Sequence, residues 1–164
     1  MFGLKHTIVV AALIGSTACA APPAVDKAAD EAALRATTTT WIAAYNAGDV
    51  DTIVPLYAED GVLMPPHVPV ARGPAAIRAF LTTDTANAKA AGVKIVIGPG
   101  TTVGISGDLG FESGSYTVTD AAGMAVDSGS YMSASRRVNG KWLYVRDIYN
   151  SDRPLPTPAA APAK

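Results

Sequence analysis

Residues 130–150 read SYMSASRRVNGKWLYVRDIYN, and this stretch decides the fold class. Two runs that alternate apolar or aromatic residues with polar ones flank the pair Asn139-Gly140. An Asn-Gly pair between such runs is typical of a type I′ turn, which joins two antiparallel strands. The pattern therefore predicts a β-hairpin with strands at 124–138 and 141–150.

The two-residue turn also fixes the register of this hairpin, because Val138 then lies opposite Lys141. The same register places Met132 opposite Asp147, on one side of the sheet. Both sides carry apolar side chains, so the pattern leaves open which side faces the rest of the domain. The side that does not pack against helices would expose an apolar surface, which a second subunit would bury. We therefore expect a homodimer.

Upstream of the hairpin, helical patterns come first and strand patterns follow. Helices are predicted at 25–47, directly after Asp49, and at 73–91. Further strands are predicted at 61–64, at 93–97 with an open extension to 105, and at 109–119. This order predicts an α+β domain in which three N-terminal helices pack on one face of a curved antiparallel sheet.

The composition excludes several classes of protein. The chain has 164 residues, a net charge of −1, 49% apolar residues and one cysteine. The apolar content excludes disorder of the whole chain, and the balanced charge argues against nucleic-acid binding. A single cysteine cannot form an intrachain disulfide, and no cluster of Cys and His is present to hold zinc. We expect neither a metal nor a cofactor.

Residues 1–20 have the pattern of a secretory signal peptide. Lys5 and His6 precede a nine-residue apolar segment, and small residues follow it. Cleavage before Ala21 fits the small residues at 18 and 20, whereas cleavage before Cys19 would make a lipidated N-terminus. Either site predicts export to the periplasm or beyond, with a lipid anchor at Cys19 in the second case. No second apolar segment of membrane-spanning length follows.

The rest of the chain divides by composition. Residues 21–27 are predicted to be an Ala/Pro linker, 28–152 the folded domain, and 153–164 a disordered Pro/Ala tail.

Several short motifs resemble those of one family when they are taken in order. They are Trp41-x-x-x-Tyr45-Asn46-Ala47-Gly48-Asp49, Leu56-Tyr57-Ala58-Glu59-Asp60, Met64-Pro65-Pro66, Gly73-x-x-x-Ile77, Gly140-Lys141-Trp142 and Arg146-Asp147-Ile148-Tyr149-Asn150-Ser151-Asp152. Over about 30–152 the chain resembles SnoaL-like proteins of the nuclear transport factor 2-like superfamily. This group includes ketosteroid isomerases, polyketide cyclases and the association domain of calcium/calmodulin-dependent kinase II, so the fold alone assigns no function.

The resemblance implies a cone, in which the curved sheet wraps over the helices and encloses a pocket. It also implies that the side of the last strand carrying Asp147 lines this pocket, which would put Trp142 and Tyr144 on the outer face. The pocket would be lined by Trp41, Tyr45, Tyr57, Met64, Phe80, Met132, Val145, Asp147 and Tyr149, with His67 near its mouth. Such walls suit a small, mainly apolar ligand.

The catalytic groups of ketosteroid isomerases are absent. Those enzymes use a carboxylate base together with a Tyr and a protonated Asp that donate hydrogen bonds. The corresponding positions here are Pro65, Trp41 and Met132, so the isomerase activity is not carried over. Asp147 and His67 remain as candidate catalytic residues. In the structural alternative, Asp147 only holds the cone together and His67 is a solvated loop residue.

Three functions follow from these residues. The first is an exported protein that binds a small apolar molecule without chemistry. The second is a cyclase, isomerase or hydratase that uses Asp147 as general acid or base, with or without His67. The third is a dimeric interaction module whose sheet face mediates assembly.

Overall fold

The computed structural model describes residues 26–154. The predicted signal peptide, Cys19 and most of the linker and tail lie outside these residues. The described residues form three α-helices: α1 (Lys27–Ala47), α2 (Val50–Ile53), which a 3₁₀ turn (Val54–Leu56) extends, and α3 (Gly73–Ala91). They also form seven strands: β1 (Tyr57–Met64), β2 (Ala71–Arg72), β3 (Lys94–Ile97), β4 (Thr102–Ser106), β5 (Leu109–Thr119), β6 (Ala125–Val138) and β7 (Lys141–Tyr149). None of these helices is both long and apolar enough to cross a bilayer.

The helix boundaries follow from the capping residues. Asp26 begins α1 by accepting a hydrogen bond from the backbone N–H of Ala29 at 3.1 Å. Gly48 ends it with a φ of 76°, which glycine adopts without steric cost. Asp49 caps α2 in the same way as Asp26 caps α1, and Gly92 ends α3 with a φ of 68°. These boundaries confirm the helices predicted from the sequence.

The strands form one sheet in the order β2-β1-β7-β6-β5-β3, with β4 also paired to β5. The predicted α+β cone is therefore confirmed, with one difference in strand direction. β1 runs parallel to β7, whereas every other pairing among the described strands is antiparallel. A parallel pair needs a long connection, and here most of the domain lies between the two strands.

The edge beside β5 is made by two short strands. β3 pairs with the second half of β5, and β4 pairs with its first half. Residues 98–101 read Gly-Pro-Gly-Thr and interrupt the edge strand, so the extension to 105 is present as a separate strand.

The hairpin contains the predicted turn but not the whole predicted register. Asn139 and Gly140 both have positive φ, as a type I′ turn requires, and Val138 lies opposite Lys141. A β-bulge at Val145 then adds one residue to β7. Beyond it, Met132 pairs with Ile148, so its predicted pairing with Asp147 is wrong.

The bulge reverses the faces of β7 along its length. Trp142 and Tyr144 are 5% and 4% exposed and face the helices, so their predicted outer-face position is wrong. After the bulge, Asp147 faces inward, whereas Met132 and Ile148 are 49% and 46% exposed on the outer face. One extra residue therefore makes both halves of β7 present aromatic residues to the interior.

The most tightly packed part of the core lies between α2, α3 and β1. Ile53, Leu63, Ile77 and Leu81 have no exposed surface there. Each buried side chain of this size contributes about 1.5–3 kcal/mol relative to an exposed one. This packing fixes β1 and α3 as rigid walls beside the cavity described next.

Candidate functional site

A cavity of about 290 Å³ lies between α1, α3 and the inner face of the sheet. Its walls are mainly aromatic and aliphatic. Seven aromatic residues line it: Trp41, Tyr45, Phe80, Tyr116, Tyr131, Tyr144 and Tyr149. A concave apolar site with a few polar groups is the usual form of a small-molecule binding site.

Asp147 lies in the wall of this cavity, two residues after the bulge in β7. Its Oδ2 accepts a hydrogen bond from the Tyr57 hydroxyl at 2.5 Å. The same hydroxyl accepts a hydrogen bond from Trp41 Nε1 at 3.0 Å. Trp41 on α1, Tyr57 at the start of β1 and Asp147 on β7 therefore form a hydrogen-bonded chain that fixes the carboxyl group.

The surroundings of this carboxyl group change its acidity. Burial raises the pKa of Asp147 from the ordinary 3.8 to about 6, and the hydrogen bond from Tyr57 opposes the change. Burial also raises the pKa of Tyr57 well above its ordinary 10.0, so its hydroxyl stays protonated and remains a donor. Asp147 can therefore gain or lose a proton close to neutral pH.

One buried polar atom in the cavity wall, beside Asp147 on the sheet, has no hydrogen-bond partner among the described residues. Among the described residues, Asp147 accepts a side-chain hydrogen bond at Oδ2 alone, so its Oδ1 remains available to a ligand. Ser133 lies opposite Asp147 in the register and also lines the cavity. It is 3% exposed, and its Oγ has no hydrogen-bond partner among the described residues. Buried polar atoms are rarely left unpaired, so a ligand with a polar group would complete this site.

A second hydrogen-bonded network orients the tyrosines beside the cavity. The Tyr144 hydroxyl lies 3.0 Å from Thr38 Oγ1, which donates to Glu112 Oε2 at 2.8 Å. The Tyr131 hydroxyl donates to the other oxygen of Glu112 at 3.0 Å. Glu112 is 3% exposed. The network joins α1 to β5, β6 and β7 and fixes two of the cavity's aromatic rings.

Two further carboxylates line the cavity. Asp84 on α3 accepts a hydrogen bond from the Tyr45 hydroxyl at 2.7 Å, and the Tyr45 ring stacks on Trp41 with centroids 5.1 Å apart. Asp127 on β6 accepts from Ser151 Oγ at 2.8 Å. The described residues contain no group of three or more Asp, Glu, His or Cys side chains placed to hold a metal ion.

The structure brings together some of the residues predicted for the pocket. Trp41, Tyr45, Phe80, Asp147 and Tyr149 line the cavity.

The other predicted pocket residues lie elsewhere. Tyr57 is buried behind Asp147 and reaches it through its hydroxyl. Met64 and Val145 do not line the cavity, because Met64 lies opposite the outward Ile148 and Val145 is the bulge residue. Met132 lies on the outer face of the sheet, so the isomerase acid position assigned to it does not point into the cavity either.

His67 is not placed beside Asp147. Its side chain is exposed in the loop after β1, and its backbone has a φ of 62°. Its neighbours Pro66 and Val68 line the cavity, but His67 itself does not. His67 is therefore a residue at the rim of the cavity, and residues 26–154 give it no hydrogen-bond partner in the site.

Asp84 and Ser133 line the cavity but were not predicted from the sequence, and only Asp84 has a signal there. Asp84 follows Phe80 by four residues, so it lies on the same face of α3, and this spacing was readable from the sequence. The predicted register, which lacks the bulge at Val145, would place Ser133 on the outer face together with Trp142 and Tyr144. Nothing in the alternation of apolar and polar residues marks that extra residue.

Several solved structures share this fold. A nuclear transport factor 2-like protein with a cystatin-like fold from Novosphingobium aromaticivorans has a TM-score of 0.68 and 23% identity, over 74% of this chain and 81% of that one. A putative calcium/calmodulin-dependent protein kinase II association domain from Xanthomonas campestris has a TM-score of 0.60 and 30% identity, over 79% and 91%. A ketosteroid isomerase-like protein from Erwinia carotovora atroseptica has a TM-score of 0.58 and 21% identity, over 75% and 96%.

No curated protein sequence matches the chain significantly. Residues 38–145 match the SnoaL-like domain family, which is more than half of the chain. The fold is that of nuclear transport factor 2-like proteins. The order of helices and strands, the cone cavity and the family match agree: the chain belongs to the SnoaL-like family.

Proposed function

We propose that this protein binds a small, mainly apolar organic molecule in its cone cavity. The observation that supports this most is Ser133 Oγ, a buried hydroxyl without a partner among the described residues, in a wall that is otherwise mostly apolar and aromatic. Apolar walls supply affinity, and a few fixed polar groups orient the ligand. The SnoaL-like fold is consistent with small-molecule binding, and the cavity volume of about 290 Å³ sets the size of ligand expected.

Native mass spectrometry of protein purified from its own cells tests this proposal. We expect a co-purifying small molecule in the wild type. Ala88 lines the cavity, so Ala88→Phe fills part of it and the molecule should be lost. Ala90→Phe, on the exposed side of the same helix, is the matched control and should keep the molecule. A bound molecule that is retained equally by Ala88→Phe would contradict binding in this cavity.

A second candidate function is an enzyme that transfers a proton. Burial raises the pKa of Asp147 to about 6, and its one side-chain hydrogen bond from the described residues is to Oδ2. These are the properties of a general acid or base that works near neutral pH. Cyclase, isomerase and hydratase reactions all need such a group.

The Asp147→Asn variant separates the two functions. If the protein is a binder, the molecule is recovered chemically unconverted from both proteins, and the variant retains less of it because Asp147 lines the cavity. If it is an enzyme, the molecule is converted by the wild type and accumulates unconverted in the variant. Equal turnover by both proteins would remove Asp147 from the role of general acid or base.

We also propose that the chain is exported and forms a homodimer. The pattern of residues 1–20 supports export, and the exposed neighbours Met132 and Ile148 on the outer sheet face support self-association. The Xanthomonas structure that is 30% identical carries the name of an association domain, which agrees with assembly.

Two measurements test these proposals. The mass of the mature chain distinguishes a lipidated Cys19 from a start at Ala21, and a full-length cytoplasmic chain would contradict export. Sedimentation should give a dimer for the wild type and a monomer for Ile148→Lys. A wild-type monomer at micromolar concentration would contradict the dimer.

A further inference from the structure

We propose that the ligand of the cone cavity is a small organic cation, an amine or ammonium group attached to an apolar body. This inference rests on the proposed binding function and specifies its ligand class. Three features of the cavity support it: an excess of carboxylates, an aromatic wall and an unpaired hydroxyl.

The carboxylates outnumber the cations in the cavity wall. Asp84, Asp127 and Asp147 line it, whereas Lys94 is the single Lys or Arg among the described lining residues and is itself exposed. None of the three carboxylates takes part in an ion pair between described residues. A concave site with one sign of charge and low-dielectric walls concentrates ligands of the opposite charge.

Neutral hydroxyl groups bind each of these carboxylates but leave its charge in place. Tyr45 donates to Asp84 at 2.7 Å, Ser151 donates to Asp127 at 2.8 Å, and Tyr57 donates to Asp147 at 2.5 Å. Hydrogen bonds of this kind hold the oxygens in fixed positions. The fold therefore fixes the positions of these negative charges, and a cationic ligand inside the cavity would balance them.

The aromatic wall suits a cation better than a neutral polar ligand. Trp41 and Tyr45 stack with their rings 9° from parallel, and Tyr116 and Tyr149 meet edge to face at 82° with centroids 6.1 Å apart. Ring faces attract ammonium groups through their quadrupole, and such sites are used to recognise alkylated amines. The two aromatic pairs belong to different walls of the same cavity.

Ser133 supplies an independent indication of a ligand. Its side chain is 3% exposed, lines the cavity and has no hydrogen-bond partner among the described residues. An ammonium group carries several N–H donors, and Asp147 Oδ1 and Ser133 Oγ are two acceptors on neighbouring strands. A carboxylate ligand would meet three like charges instead.

Three probes of similar size test the proposal: 2-phenylethylamine, 2-phenylethanol and phenylacetate. Their affinities are measured by calorimetric titration at pH 7.5 and constant ionic strength. We expect the amine to bind about tenfold or more tightly than the alcohol, and phenylacetate to bind weakest, because charge-assisted hydrogen bonds are the stronger ones.

The outcomes distinguish this inference from the proposed function. Equal affinity for the amine and the alcohol, or higher affinity for phenylacetate, would overturn the inference that the ligand is a cation. The proposal of small-molecule binding would remain. Failure of all three probes, together with the absence of a co-purifying molecule, would overturn both.

Variants of the cavity charges give a second test. Asp84→Asn and Asp127→Asn keep an oxygen acceptor for Tyr45 and Ser151, so the fold should be retained. We expect each variant to lower the affinity for 2-phenylethylamine by roughly threefold to tenfold and to leave the affinity for 2-phenylethanol nearly unchanged. Glu59→Gln is the matched control, because it removes the same charge at an exposed position outside the cavity. Equal effects of all three variants on the amine would overturn the proposal.

Discussion

A single carboxyl group shows how the fold sets chemistry at the scale of one residue. Asp147 accepts a hydrogen bond at 2.5 Å from the buried Tyr57 hydroxyl, which lies far from it in the sequence. Because burial is the larger effect, the pKa of Asp147 rises to about 6 despite that donor. The folded protein therefore holds a proton on Asp147 at a pH where the unfolded chain has released it.

This difference predicts a pH-dependent effect of Asp147→Asn. Between about pH 4 and pH 6 the wild type loses stability as the pH rises, because its folded state binds more protons there than its unfolded state. The neutral Asn lacks this loss. The stability of the variant relative to the wild type should therefore increase by about 2–3 kcal/mol from pH 4 to pH 7.5.

Urea denaturation at the two pH values measures the change. A constant difference between the two proteins would mean that the pKa of Asp147 is ordinary. An unfolded variant would mean that this carboxylate is structural.

Tyr57→Phe should move the pKa of Asp147 further upward, since the Tyr57 hydrogen bond lowers it. Trp41 Nε1 also loses its acceptor, so the variant should be less stable by about 1–2 kcal/mol. The titration midpoint of the ¹³C-labelled Asp147 carboxyl measures the first effect. Tyr149→Phe is the control and should leave the midpoint nearly unchanged. A lower midpoint in Tyr57→Phe would contradict the hydrogen bond as the cause.

At the scale of the element, strand β7 explains what the sequence could predict and what it could not. The Asn139-Gly140 turn and the two strands beside it were readable, because turn residues and alternation are local properties. The bulge at Val145 could not be predicted, because it depends on tertiary packing. It lets Trp142 and Tyr144 pack against the helices while Asp147 also faces inward. The wrong pocket positions predicted for Met132 on β6 and Val145 on β7 both result from this one extra residue.

The helices were more predictable than the cavity they enclose. Asp26, Gly48 and Gly92 mark their ends by local backbone chemistry, which a sequence displays directly. The hydrogen bonds from Tyr45 to Asp84 and from Thr38 to Glu112 join residues 39 and 74 positions apart. Such pairs depend on the packed fold, so periodicity could not reveal them.

Strand β6 contains a glycine that the sheet requires for space. A Cβ on Gly129 would lie 1.9 Å from the Asn150 carbonyl oxygen and 2.7 Å from Tyr116 Cε1. These two atoms cannot both move away, because the Tyr116 hydroxyl donates to that same carbonyl at 2.7 Å.

Gly129→Ala should therefore destabilise the protein by roughly 2–3 kcal/mol, as overpacking does elsewhere. Thermal unfolding measures the loss. Ser130→Ala, at the adjacent exposed position of β6, should change stability by less than about 0.5 kcal/mol. A stable Gly129→Ala variant would show that β6 and β7 separate easily at this point.

At the scale of the whole molecule, the cone holds together where α1 meets the sheet. Near the start of α1, the Asp30 carboxylate accepts hydrogen bonds from Arg137 and from Trp142 Nε1. The Arg137 guanidinium lies 4.6 Å from the centre of the Trp142 ring. At its middle, Thr38 joins Tyr144 and Glu112. The cavity therefore has a helical wall that is attached to the sheet through buried polar groups as well as apolar packing.

Thr38→Val tests that attachment with almost no change in shape. The variant leaves the Tyr144 hydroxyl and one oxygen of the buried Glu112 without Thr38 as partner, which should cost about 2–4 kcal/mol. Thr40→Val is the matched control, because Thr40 is exposed on the same helix and, among the described residues, its hydroxyl bonds only to the Ala36 carbonyl. Chemical denaturation of both variants gives the comparison, and the control should lose less than about 0.5 kcal/mol.

In the Thr38→Val and Thr40→Val variants, we expect ligand affinity to change together with stability. Thr38 itself lines the cavity, and Tyr144 and Tyr131 are held by the same network. Thr38→Val should therefore also weaken probe binding at temperatures where the variant is fully folded, whereas Thr40→Val should not. Equal stability of the two variants would mean that apolar packing alone holds α1 on the sheet. Lost stability with unchanged binding would mean that the network supports the fold without shaping the cavity.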